Sequence, residues 1–237
     1  MIDFTLYTAN CCGDSSNCVY PNKAHITDSA SFVVAIKRDH VCAAYKNNYR
    51  SNDNFLETDV LPMDCDNDHS DDPKDWIYPL DVVMAFPDVS LLVSYSRNNM
   101  KVKNGKAARP KFHVYFPIPT MTDGKAYAEL KKRIQEFFPH FDADALGEAR
   151  FLYGTDSPDI EVYDGASNVA DFIDHDEFAD FDASTEEISE GSRNSTMSHI
   201  AGKLIKRYGA TEEAHALFMK TAEKCNPPLA DSELDKI

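Results

Sequence analysis

The sequence predicts an α+β protein: a mixed domain of short strands and helices, an acidic linker, and a small helical domain. Three observations carry that expectation. "KFHVYFPI" (111–118) alternates apolar and polar residues with the period of a strand, while "TDGKAYAELKKRIQEFF" (122–138) follows with a helical pattern. From about Asp171 to Glu190 the composition turns acidic and apolar residues thin out, as linkers do. Beyond it, two amphipathic segments flank Gly209. The expected boundaries are 1–175 for the mixed domain, 176–192 for the linker and 193–237 for the helical domain.

In chain order, the first fifty residues carry weak signals. "FVVAI" (32–36) fits a strand or part of a short buried helix, and five residues do not decide between them. "DHVCAAYKNNYRSNDNF" (39–55) runs into a polar loop that includes Lys46 and Arg50. "FLETDVLPMDCD" (55–66) reads as a strand, because Pro62 breaks a helix interior. "PLDVVMAF" (79–86) is a short helix stopped by Pro87, and "VSLLVSYS" (89–96) is an apolar strand. A polar loop with an Asn104-Gly105 turn signal follows, over 97–110. In the next strand Phe112, Val114 and Phe116 share one face, and Lys111, His113 and Tyr115 the other. Thr122 or Asp123 caps the helix after it, and Pro139 stops it. "ARFLYG" (149–154) and "IEVYDG" (160–165) are two further short strands. After the acidic stretch come helices in "SRNSTMSHIAGKLIKRYG" and "TEEAHALFMKTAEKC", and a third begins in "ADSELDKI".

At 237 residues, with 43% hydrophobic and 11% aromatic content, the chain can bury a substantial core. No run approaches the roughly 20 apolar residues of a membrane span, and "MIDFTLYTAN" has no secretory pattern. The expected compartment is the cytoplasm, where the cysteines stay reduced. "CCGDSSNC" (11–18) lacks a CxxC pair, and His25 lies seven residues past Cys18, so no zinc site is expected.

The net charge of −16 argues against a simple nucleic-acid binder, but the distribution is uneven. Residues 97–133 carry a local +8, whereas 142–190 carry −15. A basic segment between acidic ones suits a site where metals and phosphates meet; a mixed, soluble surface is the plainer alternative. Arg97, Lys101, Lys103, Lys106 and Arg109 are candidates for phosphate oxygens.

The densest acidic run is "LPMDCDNDHSDDPKDW" (61–76). Asp64 and Asp66, two residues apart at the end of a strand, project from one face and can hold divalent ions close together. Asp64, Asp66, Asp68 and Asp75 also fall at positions 1, 3, 5 and 12 of a calcium-binding loop. However, His69 stands where that loop needs glycine, Asp75 where it needs glutamate, and no long helix flanks the run. A solvated acidic turn is the third alternative. His113 lies mid-strand among aromatics, and "FPHFDADALGEARFLYGTD" (138–156) adds Asp142 at a strand end and then Arg150.

"MDCD" (63–66), "KFH" (111–113) and "FD" (141–142), in that order, resemble the three motifs of the archaeo-eukaryotic primase superfamily. "SRNNMKVKNGKAARPKFHVYFP" and "ARFLYGTD" resemble its primase-polymerases from phages, plasmids and integrative elements. "EGSRNSTMSHIAGKLIKRYG" with "CNPPLADSELDKI" resembles the small helical module that follows their catalytic domain. The resemblance covers roughly residues 30–237. Lys111 departs from it, since the family often has serine there.

The resemblance implies an archaeo-eukaryotic primase catalytic domain of two α/β units, one like an RNA-recognition motif, with the active site between them. It implies that Asp64, Asp66 and Asp142 hold two Mg²⁺ or Mn²⁺ ions, with Asp144 an alternative to Asp142. His113 would contact the phosphates of an incoming NTP or dNTP, helped by Arg97, Lys111 and Arg150, with Lys106 and Arg109 as further contacts. Arg50 and Lys46 would meet a single-stranded DNA template. The activity implied is primer synthesis or extension in the replication of a mobile element, beside a helicase domain or protein, with this chain part of something longer. The competing classes are a metal-dependent nuclease or phosphohydrolase on the same carboxylates, and a non-catalytic replication-protein binding module.

Overall fold

The structure, a computed structural model, describes residues 2–102, 105–174, 188–189 and 193–234. Lys103, Asn104 and most of the expected linker lie outside them. The chain divides into two units, Met1–Ile173 and Asp174–Ile237.

The first unit is α+β with two antiparallel sheets. One has five strands in the order β4 (Ala43–Tyr45), β5 (Phe55–Cys65), β7 (Phe112–Met121), β6 (Leu91–Tyr95), β9 (Ile160–Tyr163). The other has four, in the order β2 (Asn22–Ile26), β1 (Phe4–Thr8), β3 (His40–Val41), β8 (Phe151–Leu152). The helices are α1 (Ser29–Ala35), α2 (Pro79–Ala85), α3 (Gly124–Phe137) and α4 (Val169–Asp174).

Strand alternation gives the five-stranded sheet two apolar faces. Leu61, Met63, Cys65, Phe112, Val114 and Phe116 pack with Val82, Phe86, Leu130 and Ile134 of the helical side. Val60, Leu92 and Tyr115, of opposite parity, pack with Phe4, Leu6, Ile26 and Phe32 of the other sheet and α1. The alternation predicted for 112–116 is therefore observed, and β7 runs three residues further, to Met121. Pro62 sits inside β5, where β4 accompanies only Phe55–Thr58, so this stretch has a strand neighbour on one side alone.

The ambiguous "FVVAI" is helical. Asp28 caps α1 by accepting the Ser31 N–H at 2.7 Å, and Phe32 and Ala35 face the core. Asp123 caps α3 in the same way, through Lys125 and Ala126.

The second unit contains helices Arg193–Tyr208, Glu212–Ala222 and Asp231–Leu234. Gly209 takes the left-handed φ of 70° that ends the first of them. Met197, Ile200, Leu204, Ala214 and Leu229 form its core. Ile188–Ser189, inside the stretch expected as linker, pairs in parallel with Cys225–Asn226. A two-residue strand without alternation or turn residues leaves no pattern to read. Among the described residues no helix is long and apolar enough to cross a membrane.

Candidate functional site

β5 and β7 pair in a register that sets Asp64 directly opposite His113. Both point to the face of the sheet away from α2 and α3. Asp64 is 3% exposed, and its Oδ1 lies 2.7 Å from His113 Nδ1. Its other oxygen accepts from Arg150, just ahead of β8. Burial alone would raise the Asp64 carboxyl; His113, Arg150 and Lys131 override it and hold the group well below the usual carboxylate range.

Asp66 has a different fate. β5 ends at Cys65, and Asn67 adopts a left-handed φ of 52°, so the chain turns immediately after Asp66. Its carboxylate lies 3.2 Å from Lys111 Nζ, which also reaches Asp68 at 3.4 Å. The rest of the acidic run is a folded strap whose aspartates Asp68, Asp71, Asp72 and Asp75 are exposed, as in a solvated acidic turn. Asn67 is buried, and its side chain bonds Ile77 N, Ile77 O and Pro110 O. Arg109, 1% exposed, donates to Asn67 O at 2.8 Å, to Ser70 O at 3.2 Å and to Asp71 Oδ1 at 2.5 Å. Lys106 pairs with Asp68 at 3.2 Å. Asp72 caps the short turn Pro73–Asp75, and Asp75 accepts from Ser70. The calcium alternative gains nothing here, because Asp66 and Asp68 are engaged by lysines and Asp75 by a hydroxyl.

Asp142 comes to the same place through its backbone: its N–H donates to Asp64 O at 2.8 Å. Its carboxylate, however, accepts the N–H of Asp144 at 2.9 Å in its own turn. The donors have the hard-oxygen chemistry that Mg²⁺ or Mn²⁺ takes, but their placement does not fit a two-ion centre. Asp64 is occupied by His113 and Arg150, Asp66 by Lys111, and Asp142 by a backbone amide. Among the described residues no group of three or more His, Cys, Asp or Glu side chains is placed to hold a metal ion.

The basic candidates also separate. Arg109, expected at phosphates, is an internal clamp of the strap because its guanidinium is buried among carbonyls. Lys106, Lys111 and Arg150 are paired with carboxylates. Arg50, expected at template, stacks 4.8 Å over Phe151 and donates to Ala149 O at 2.9 Å, which ties it to the body of the fold. Lys46 is exposed in the turn Lys46–Asn48. Arg97 is exposed, with its guanidinium 3.8 Å over the Tyr153 ring.

No family model and no curated protein matches the chain. Among solved structures, the AEP domain of the cyanophage S-2L primase-polymerase (PrimPol) is similar to it with a TM-score of 0.37 and 15% sequence identity, over 68% of this chain and 84% of that one.

Two residues beside the site carry little signal in the sequence. Lys131 of α3 is fully buried, donating to Ala145 O at 2.6 Å and Gly147 O at 3.4 Å, and burial lowers its pKa to about 8. It stands in the string Lys131-Lys132-Arg133, where the helical phase of the apolar residues was the only available signal. Asp39, 0% exposed, accepts the N–H groups of Gly13, Asp14 and Gly154, each at 2.8 Å. Nothing in its sequence neighbourhood distinguishes it from a surface aspartate.

Proposed function

We propose that the chain is a nucleotidyltransferase of the primase-polymerase kind, making or extending primers on single-stranded DNA template from nucleoside triphosphates. One observation supports this reading above the others. Three short motifs far apart in sequence meet at one point: Asp64 faces His113 across neighbouring strands, and its carbonyl receives the Asp142 N–H. An ionised Asp64 can only accept, so His113 donates to it from Nδ1, which fixes the orientation of the ring. Arg150 beside them brings a guanidinium fork suited to phosphate.

Mg²⁺ or Mn²⁺ belong to the proposal as the ions such carboxylates take, and binding them requires Arg150 and Lys111 to withdraw from Asp64 and Asp66. Replication of a mobile element and a helicase partner rest on the sequence resemblance alone.

The test is primer synthesis and extension on single-stranded template, with ribo- and deoxyribonucleotides and with Mg²⁺ and Mn²⁺ in turn. Incorporation by the native chain and none by D64A/D66A is expected. Incorporation by that variant, verified as folded, rejects the site. The engaged carboxylates favour a second reading, a non-catalytic module that binds template. It predicts binding without incorporation in every metal and nucleotide combination. Degradation of labelled DNA without nucleotides would instead point to a nuclease.

A further inference from the structure

Two basic residues behave unlike those that hold the strap. Among the described residues, Arg97 and Lys101 end on no carboxylate, whereas Lys106, Arg109, Lys111 and Arg150 all do. Lys101 Nζ instead donates to Arg97 O at 2.6 Å. Together they line a cleft of about 440 Å³ with Gly13, Thr155, Asp156 and Ser157.

The walls of this cleft are fixed by Asp39. That buried carboxylate takes the N–H groups of Gly13 and Asp14 on one side and of Gly154 on the other. Both glycines are required where they stand. Gly13 has a φ of 85°, and a Cβ on it would come within 3.0 Å of Arg97 Nη1. A Cβ on Gly154 would meet the backbone of Arg38 at 2.5 Å. Tyr153 holds the plane of the Arg97 guanidinium, leaving its N–H edges for another partner. A planar guanidinium, an ammonium and the hydroxyls of Thr155 and Ser157, set against the single carboxylate of Asp156, form a donor set for phosphate.

We infer that this cleft binds a phosphate group, carried either by the polyphosphate of a nucleotide or by a nucleic-acid strand. The inference rests on the proposed activity only for where the phosphate comes from. Binding itself is read in EDTA, apart from any metal and any turnover. Fluorescence anisotropy of a labelled single-stranded oligonucleotide and of a labelled deoxynucleoside triphosphate, with inorganic tripolyphosphate as competitor, would compare the native chain with R97A/K101A and with K74A. Lys74 is an exposed lysine of the strap and serves as the control.

The double variant is expected to weaken at least one ligand tenfold or more, with K74A unchanged and tripolyphosphate competing against the native chain. Where the ligand is a strand, the double variant, which removes two cations, should also lower the salt dependence of binding by about two units. A loss confined to the oligonucleotide assigns the phosphate to a strand, and a loss confined to the triphosphate assigns it to a nucleotide. Unchanged affinity for both ligands, or no binding by the native chain, overturns the inference. A chain inactive in primer synthesis that still loses binding in R97A/K101A rejects the enzyme and keeps the cleft.

Discussion

The acidic strap and the Arg97 cleft lie on one unit, and both combine arginine, lysine and aspartate. In the strap Arg109 is threaded among carbonyls and Asp71, and Lys106 and Lys111 close on Asp68 and Asp66. In the cleft the buried anion, Asp39, faces backbone amides instead, which leaves Arg97 and Lys101 without a carboxylate among the described residues. Density of charge in the sequence therefore says little about where a ligand can bind. What matters is which charges the fold has already neutralised.

That comparison can be broken most forcefully at Arg109. Its replacement by alanine leaves Asn67 O and Ser70 O without their donor, while the lost pair with the exposed Asp71 adds little. The expected loss is about 3–5 kcal/mol, mostly from the two carbonyls, read from urea unfolding. A loss below about 1 kcal/mol would show that the strap does not depend on its clamp.

Asp64→Asn comes next, at about 1.5–3 kcal/mol near neutral pH, since it weakens two charge-assisted contacts. The sign with pH follows from a folded-state pKa depressed below the unfolded one. The contribution is complete above the unfolded value of about 3.9 and fades as pH falls below it. Denaturant midpoints at pH 6 and pH 3 should therefore draw the native protein and the variant together at the acid end. Equal spacing at both pH values would contradict this.

Lys131→Met should lose about 1 kcal/mol, because the hydrogen bond to Ala145 O is removed while relief from burying an ammonium offsets part of it. Lys132→Ala, one residue on and exposed at its ion pair with Glu136, should stay within about 0.5 kcal/mol. Arg97→Ala belongs at the bottom of the scale for stability, also within about 0.5 kcal/mol by thermal melting. A large shift there would make Arg97 a structural residue like Arg109.

The parts of the fold legible in sequence are those with a local cause. β7 shows its alternation, α3 its Asp123 cap, and α2 its Pro79 start and Asp81. β1, β2 and the two-residue strand β3 exist because they pair with one another, and pairing leaves little trace in five residues; β8 is legible in "ARFLYG". The candidate site divides along the same line. Opposing Asp64 to His113 needs only a strand and its neighbour. The closure of Lys111 on Asp66 depends on how two strand ends meet, which neither string shows. Arg109 and Arg97 look alike in sequence, and only tertiary packing buries the first and exposes the second.

Asp39 bonds Gly154, which lies 115 positions further along the chain. During synthesis from the N-terminus, the Gly13 turn can receive its anchor early, but Gly154 emerges only after β4–β7 and α3 have been made. The cleft is thus among the last features of this unit to be completed. A nascent chain shorter than about Ser157 would display Arg97 on an open surface, with half its pocket not yet translated.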